Sequence, residues 1–173
     1  VNFEASVGGG IPLIRSIKEG LVANRIHSIF GILNGTSNYI LSKMTDEGKA
    51  FKEVLREAQE RGYAEADPTY DIEGIDAAHK LAILVRLAFG TPFQFKEIFI
   101  GGIKEITPID IDFSREFGYR IKLLAIAKVD QGKIEARVHP TMIPAGHLLS
   151  TVDRVFNAIY IQGDAIGPTL FYG

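Results

Sequence analysis

Cysteine is missing from all 173 residues, which excludes disulfides, thiolate metal sites and a cysteine nucleophile together and fits a reducing compartment. Long apolar runs are missing too. Nothing approaches the roughly 18 to 20 residues of a membrane helix, and no basic stretch leads into an apolar one as in a secretory leader. Charge of one sign is scarce: a net charge of -2 and an isoelectric point near 6.1 give no broad electrostatic case for nucleic acid or an anionic membrane. His27, His79, His139 and His147 show no metal-ligand spacing, and neither a G-x-S-x-G elbow nor a Walker loop occurs, which removes most hydrolase and nucleotide-triphosphatase chemistry. These absences predict a soluble, cytoplasmic protein.

What is present suits a folded domain. The chain is 46% apolar and 23% charged, within the globular range, and long enough for one real core. It begins at Val1 in a strand-like run and ends in the apolar "GPTLFYG". Termini are usually polar unless tied down, so these ends predict a piece of a longer chain.

Helices are predicted over 11–22, with Ile14, Ile17, Leu21 and Val22 on one face and Pro12 in the first turn. They are also predicted over 35–48, capped by Thr36 or Ser37 and ended by Gly48, over 51–62, and over 76–90. A buried strand is predicted at 25–33, and further strands at 97–106, 120–130, 133–143, 157–167 and 168–173, with a hairpin turn at "DQGK". Helices lead and strands follow, which predicts an α+β fold with helices packed on one face of a mixed, mostly antiparallel sheet.

Gly8, Gly9 and Gly10 invite a dinucleotide reading, but Leu13 stands where the fingerprint needs its third glycine, and no βαβ context surrounds it. Peptide carbonyls of such a run, with Glu4 beside them, suit a hard cation. The densest chemistry lies in "AEADPTYDIEGIDAAHK", residues 64–80, where five carboxylates precede one lysine. Pro68 disfavours helix at Asp67 and predicts an ordered turn to Gly74. Asp76 and Lys80 stand four apart on one helical face. Three readings stay open from the residues alone. The pair is a surface ion pair worth about 0.3 to 0.5 kcal/mol, the acids form a calcium loop (although the spacing is not that of an EF-hand and the lysine opposes the ion), or the lysine is an acid–base group at the mouth of an apolar helix.

The pattern Ala58, Gly62, Tyr63, Asp67-Pro68, Asp71, Gly74, Asp76 and Lys80, with "FEASVGGGIPLI" and "GILNGTSNYIL" in the same order, resembles the homoserine dehydrogenases. The resemblance covers essentially the whole chain. It implies reduction of L-aspartate 4-semialdehyde to L-homoserine with NADPH or NADH, on the route to threonine and methionine. It implies Lys80 as proton donor, Asp76 as the residue that orients it, Glu65 as the partner of the substrate ammonium, Asp71 in the same shell and Tyr63 lining the pocket. It further implies a monovalent cation, usually sodium, near Glu4 and the carbonyls of Val7, Gly9 and Ile11, and a homodimer. The family carries a Rossmann domain ahead of this region, so the chain is expected to be the catalytic, substrate-binding and dimerisation domain alone, unable to turn over by itself. The competing class is a non-enzymatic oligomerisation or amino-acid-binding module of the same architecture.

Overall fold

The computed structural model describes residues 3–173. A six-stranded sheet forms its centre in the order β2-β4-β3-β1-β5-β6, from β1 (Ile26–Ile32), β2 (Phe99–Ile100), β3 (Tyr119–Asp130), β4 (Lys133–Pro144), β5 (Ala158–Gly163) and β6 (Gly167–Tyr172). Every neighbouring pair is antiparallel except β2 with β4, so the sheet is mixed and mostly antiparallel, as predicted. The long β3–β4 hairpin turns through Gln131 and Gly132, both at positive φ (46° and 77°), the pairing that a two-residue turn with the right twist requires.

Alternation along the strands gives the sheet two unlike faces. On one, Ile29, Leu123, Ala125, Ala127, Ile159 and Ile161 are buried beneath helices that contribute Leu41, Met44, Val54, Leu81, Leu84 and Val85. On the other, Phe30, Leu124, Ile126, Tyr160 and Leu170 form a smaller cluster covered in part by Leu149 and Val152. The helices are α1 (Leu13–Arg15), α2 (Gly35–Glu47), α3 (Phe51–Glu60), α4 (Thr69–Ile72), α5 (Ile75–Phe89) and α6 (Pro108–Glu116).

Several expectations are corrected. The helix predicted over 11–22 is the short α1 followed by a wide π-helical turn over Ser16–Gly20. The wider turn carries Val22 off the apolar face, where it is 76% exposed, while Ile14, Ile17 and Leu21 stay buried. The strand predicted over 97–106 shrinks to Phe99–Ile100. Gly102 explains the break, because a Cβ there would lie 2.4 Å from the Ile72 carbonyl oxygen, so the chain leaves the sheet to pack against α4. The apolar run 157–167 divides at a turn into β5 and the start of β6. Helix α6 had no predicted counterpart. Its signals were Pro108 in the first turn and a capping box, in which the Thr107 hydroxyl accepts from the Asp110 amide and the Asp110 carboxylate accepts from the Thr107 amide.

Candidate active site

Helix α5 is preceded by Gly74, whose φ of 80° lets the chain reverse out of α4 into the new axis. The reversal places Asp71, on α4, beside Asp76 in the first turn of α5. Lys80 follows one turn on, and its Nζ donates to Asp76 Oδ2 at 2.6 Å and to the Leu33 carbonyl at 2.9 Å. Two of its three ammonium donors are thereby committed and one remains. The Lys80 side chain is 25% exposed and that of Asp76 31%, so the pair lies at the rim of the core rather than free on the surface.

Residues just before and within α2 complete the cluster. Asn34 caps this helix, its Oδ1 accepting from the Ser37 amide at 2.8 Å, where Thr36 or Ser37 was expected to be the cap. The Asn34 amide group donates to Asp71 Oδ1 at 2.6 Å and to Asp76 Oδ2 at 2.9 Å, and Ser37 Oγ donates to the Asp71 carbonyl at 2.7 Å. Among the described residues the second oxygens of Asp71 and Asp76 take no hydrogen bond, which leaves an acceptor open on each carboxylate. Thr36 Oγ1 donates to the Tyr63 carbonyl at 2.8 Å, and the Tyr63 ring packs at 4.8 Å from that of Tyr39. Glu65, two residues on, is exposed and its carboxylate makes no ion pair or hydrogen bond among the described residues.

The structure therefore brings Lys80, Asp76 and Asp71 into one bonded group and ties Tyr63 to the same end of α2, whereas no contact joins Glu65 to that group. Two other acids of the stretch serve the backbone and a surface pair. Asp67 Oδ1 accepts from the Thr69 hydroxyl and amide, and these donors hold its carboxyl below the usual range. Glu73 pairs with Lys104 at 2.7 Å. A cleft of about 570 Å³, lined in part by Tyr39, Tyr63, Arg61 and Arg154, adjoins Tyr63. Another of about 650 Å³ lies between the π-helical turn at Ile17 and Lys18 and the end of α5, but neither is lined by Lys80, Asp76 or Asp71.

The glycine segment stands apart. Glu4 accepts the Ile14 amide at 2.7 Å and the Arg15 amide at 3.0 Å, so its carboxylate serves the start of α1. The Ile11 carbonyl accepts from Leu13, while those of Val7 and Gly9 accept no backbone hydrogen bond among the described residues. No group of three or more His, Asp or Glu side chains has metal-binding geometry among those residues, so a cation here would depend on peptide oxygens. Asn34 had no place in the sequence reading, and Thr36 and Ser37 entered it only as candidate caps. The one signal for Asn34 was a capping residue type immediately before the helical "GTSNYIL".

The homoserine dehydrogenase family model matches residues 12–173. The chain belongs to the homoserine dehydrogenase family. It is 56% identical to the homoserine dehydrogenase of Neisseria gonorrhoeae over 173 residues and 57% identical to that of Helicobacter pylori, in each case over 100% of this chain. A homoserine dehydrogenase structure from Thiobacillus denitrificans superposes with a TM-score of 0.98 at 58% identity, covering 100% of this chain and 40% of that one. A hyperthermophilic archaeal homoserine dehydrogenase mutant, solved in complex with NADPH, matches with a TM-score of 0.80 at 33% identity, covering 99% of this chain and 48% of that one. The chain spans about 40% of the length of the curated relatives it matches. In this homoserine dehydrogenase segment the Lys80 network occupies one rim of the helical layer. No helix among the described residues is long and apolar enough to cross a membrane.

Proposed function

We propose that this chain is the substrate-binding and proton-transferring part of an enzyme that reduces L-aspartate 4-semialdehyde to L-homoserine in threonine and methionine biosynthesis. The observation that carries the reading is the remaining donor of Lys80, held in a network of two carboxylates and one amide within a chain of this family. When hydride reaches the aldehyde carbon, the carbonyl oxygen gains negative charge. An ammonium aimed at that oxygen stabilises the charge and delivers the proton that completes the alcohol. Lys80 is the proton donor, and Asp76 orients it by accepting one of its N–H groups. Glu65, whose carboxylate has no competing partner among the described residues, takes the substrate ammonium. Asp71, with one open oxygen, stands in the same shell, and Tyr63 lines the pocket.

A reduced nicotinamide, NADPH or NADH, supplies the hydride when bound. The chain has no dinucleotide fingerprint, and its sheet holds a single parallel pair, β2 with β4, rather than a βαβ unit. We therefore place cofactor binding mainly on residues outside this chain, with 1–173 acting as a catalytic, substrate-binding and dimerisation domain. The part-exposed setting of Lys80 supports this, since a site open on one side needs another surface to exclude water. The peptide oxygens of Val7, Gly9 and Ile11 suit a monovalent cation such as sodium, with Glu4 supplying negative charge nearby. A homodimer is supported by the partly covered cluster of Phe30, Tyr160 and Leu170 and by the exposed stacked pair Phe156 and Tyr172. A non-enzymatic module is not favoured, because the relatives across this whole span are named as dehydrogenases.

The test is a chimera in which these 173 residues replace the matching segment of the Neisseria gonorrhoeae relative, so that every part of a complete enzyme is present. We expect NADPH oxidation that depends on aspartate semialdehyde from the chimera, and none from the isolated chain. A folded chimera that binds NADPH and leaves the aldehyde untouched would overturn the reading.

A further inference from the structure

We infer that Asn34 is a positioning residue for proton transfer, acting through Asp76 on Lys80; the inference rests on the function proposed above. Asn34 is 6% exposed, and each of its polar groups is engaged. Its carbonyl oxygen accepts from Ser37, and its amide group donates to Asp71 and to Asp76. That uses the asparagine's two donors and one of its acceptor sites. The bonds cross 37 and 42 positions of sequence, so this one side chain fixes the start of α2 against both α4 and α5.

The geometry at Asp76 gives the arrangement its consequence. The same oxygen, Oδ2, accepts from Asn34 at 2.9 Å and from Lys80 at 2.6 Å. Asn34 therefore determines where the acceptor of Lys80 stands, and the preceding residue, Leu33, supplies the second acceptor through its carbonyl. Both acceptors that aim the ammonium are set by one dipeptide. The next residue pins that dipeptide in turn. A Cβ on Gly35 would lie 2.7 Å from the Val155 carbonyl oxygen, so the chain here lies against the 152–156 segment and cannot move toward it.

Asparagine is the side chain this place requires. A serine would still cap α2 but would offer no amide to the two carboxylates. An aspartate would also cap, and would turn a third negative charge toward two others. Without the amide, Asp71 and Asp76 lose the group that spaces them, and Asp76 Oδ2 keeps only the flexible lysine as partner.

The experiment uses Asn34→Ser, Asp76→Asn and the double variant in the chimera. We expect Asn34→Ser to lower kcat by about 10- to 100-fold, the scale on which misplacing a reacting group acts. The loss should fall more on kcat than on the KM for aspartate semialdehyde, since aiming the proton donor acts in the transition state, while the freed Asp71 accounts for the smaller change in KM. The solvent isotope effect on kcat should rise, as proton delivery becomes the slow step. In the Asp76→Asn background the serine substitution should cost little more, because residues acting as a unit are not additive. A serine variant with kcat within about twofold of the parent, or with independent, multiplying losses in the double variant, overturns the inference. So does one that loses its cooperative melting transition, since Asn34 then serves the fold alone. A parent chimera without turnover sinks the proposed function and this inference with it, whereas an active parent with an indifferent Asn34→Ser sinks only the latter.

Discussion

Replacing Lys80 by methionine in the chimera should lower kcat by about 10²- to 10⁴-fold, the span associated with loss of a positioned general acid. Methionine keeps much of the stem and removes the ammonium, so the change isolates the charge and its protons. The fold should survive it. The Lys80–Asp76 pair is part-exposed and such pairs contribute little, about 0 to 1 kcal/mol. Asp76 would also retain its bond from Asn34. The expected result is therefore a melting temperature within a few degrees of the parent, with turnover nearly gone and NADPH binding intact. A variant that unfolds would assign Lys80 to structure instead.

The second large effect concerns stability. Lys122, on β3, is 2% exposed, and its Nζ donates to Asp153 Oδ1 at 2.8 Å and to the Val152 carbonyl at 2.6 Å. Asn38 and Ser42 of α2 lie within 3.4 Å of the same ammonium, and Arg120 also binds Asp153, at 3.1 Å. The network ties α2 and β3 to the loop after Leu149, and this loop is the one that Gly35 packs against. Asp153→Ala would strip the buried ammonium of its carboxylate. The expected cost is about 3 to 5 kcal/mol, a fall of roughly 10 °C or more in melting temperature for a domain of this size. Lys122→Met should cost less, because it removes the buried charge itself and leaves Asp153 with Arg120.

The same pair fixes the sign of a pH effect. Burial pushes the Lys122 ammonium below its usual pKa, although Asp153 opposes the shift. Asp153 is held below the usual carboxylate value because Lys122 and Arg120 together outweigh its own partial burial. A carboxyl whose folded pKa is depressed contributes stability that is complete above the unfolded value and is lost as pH falls through the folded one. Stability should therefore decline as pH drops below the usual aspartate value of 3.8, and in Asp153→Ala that component of the acid decline should be missing. At the alkaline end the lysine's depressed pKa gives a slope of the same sign. Between its folded value and 10.5 the unfolded chain binds more protons, so this group's contribution rises with pH. Urea titrations of parent and variant across the acid range check the difference.

What the sequence revealed, and what it hid, follows from the range of the interactions concerned. The β3–β4 hairpin was legible because Gln131-Gly132 meets a local demand for positive φ. Helix α3 was legible because Val54 and Ala58, both buried, repeat at helical spacing. The adjacency of Asp76 and Lys80 was legible for the same reason, being one turn of one helix. Helix α6 was hidden because "IDIDF" alternates like a strand, which masks the helical start at Thr107 and Pro108. Lys122 was hidden because a lysine in the apolar run of β3 has no local mark of burial. Asn34 was hidden most completely, since nothing near it in sequence announces partners at Asp71 and Asp76.

The most direct measurement of the central claim is a crystal structure of the chimera with L-homoserine bound. The account predicts the substrate hydroxyl within hydrogen-bond distance of Lys80 Nζ, taking the one N–H left by Asp76 and Leu33, and the substrate ammonium on Glu65. Homoserine bound with its hydroxyl turned away from Lys80, or seated elsewhere on the chain, would contradict it.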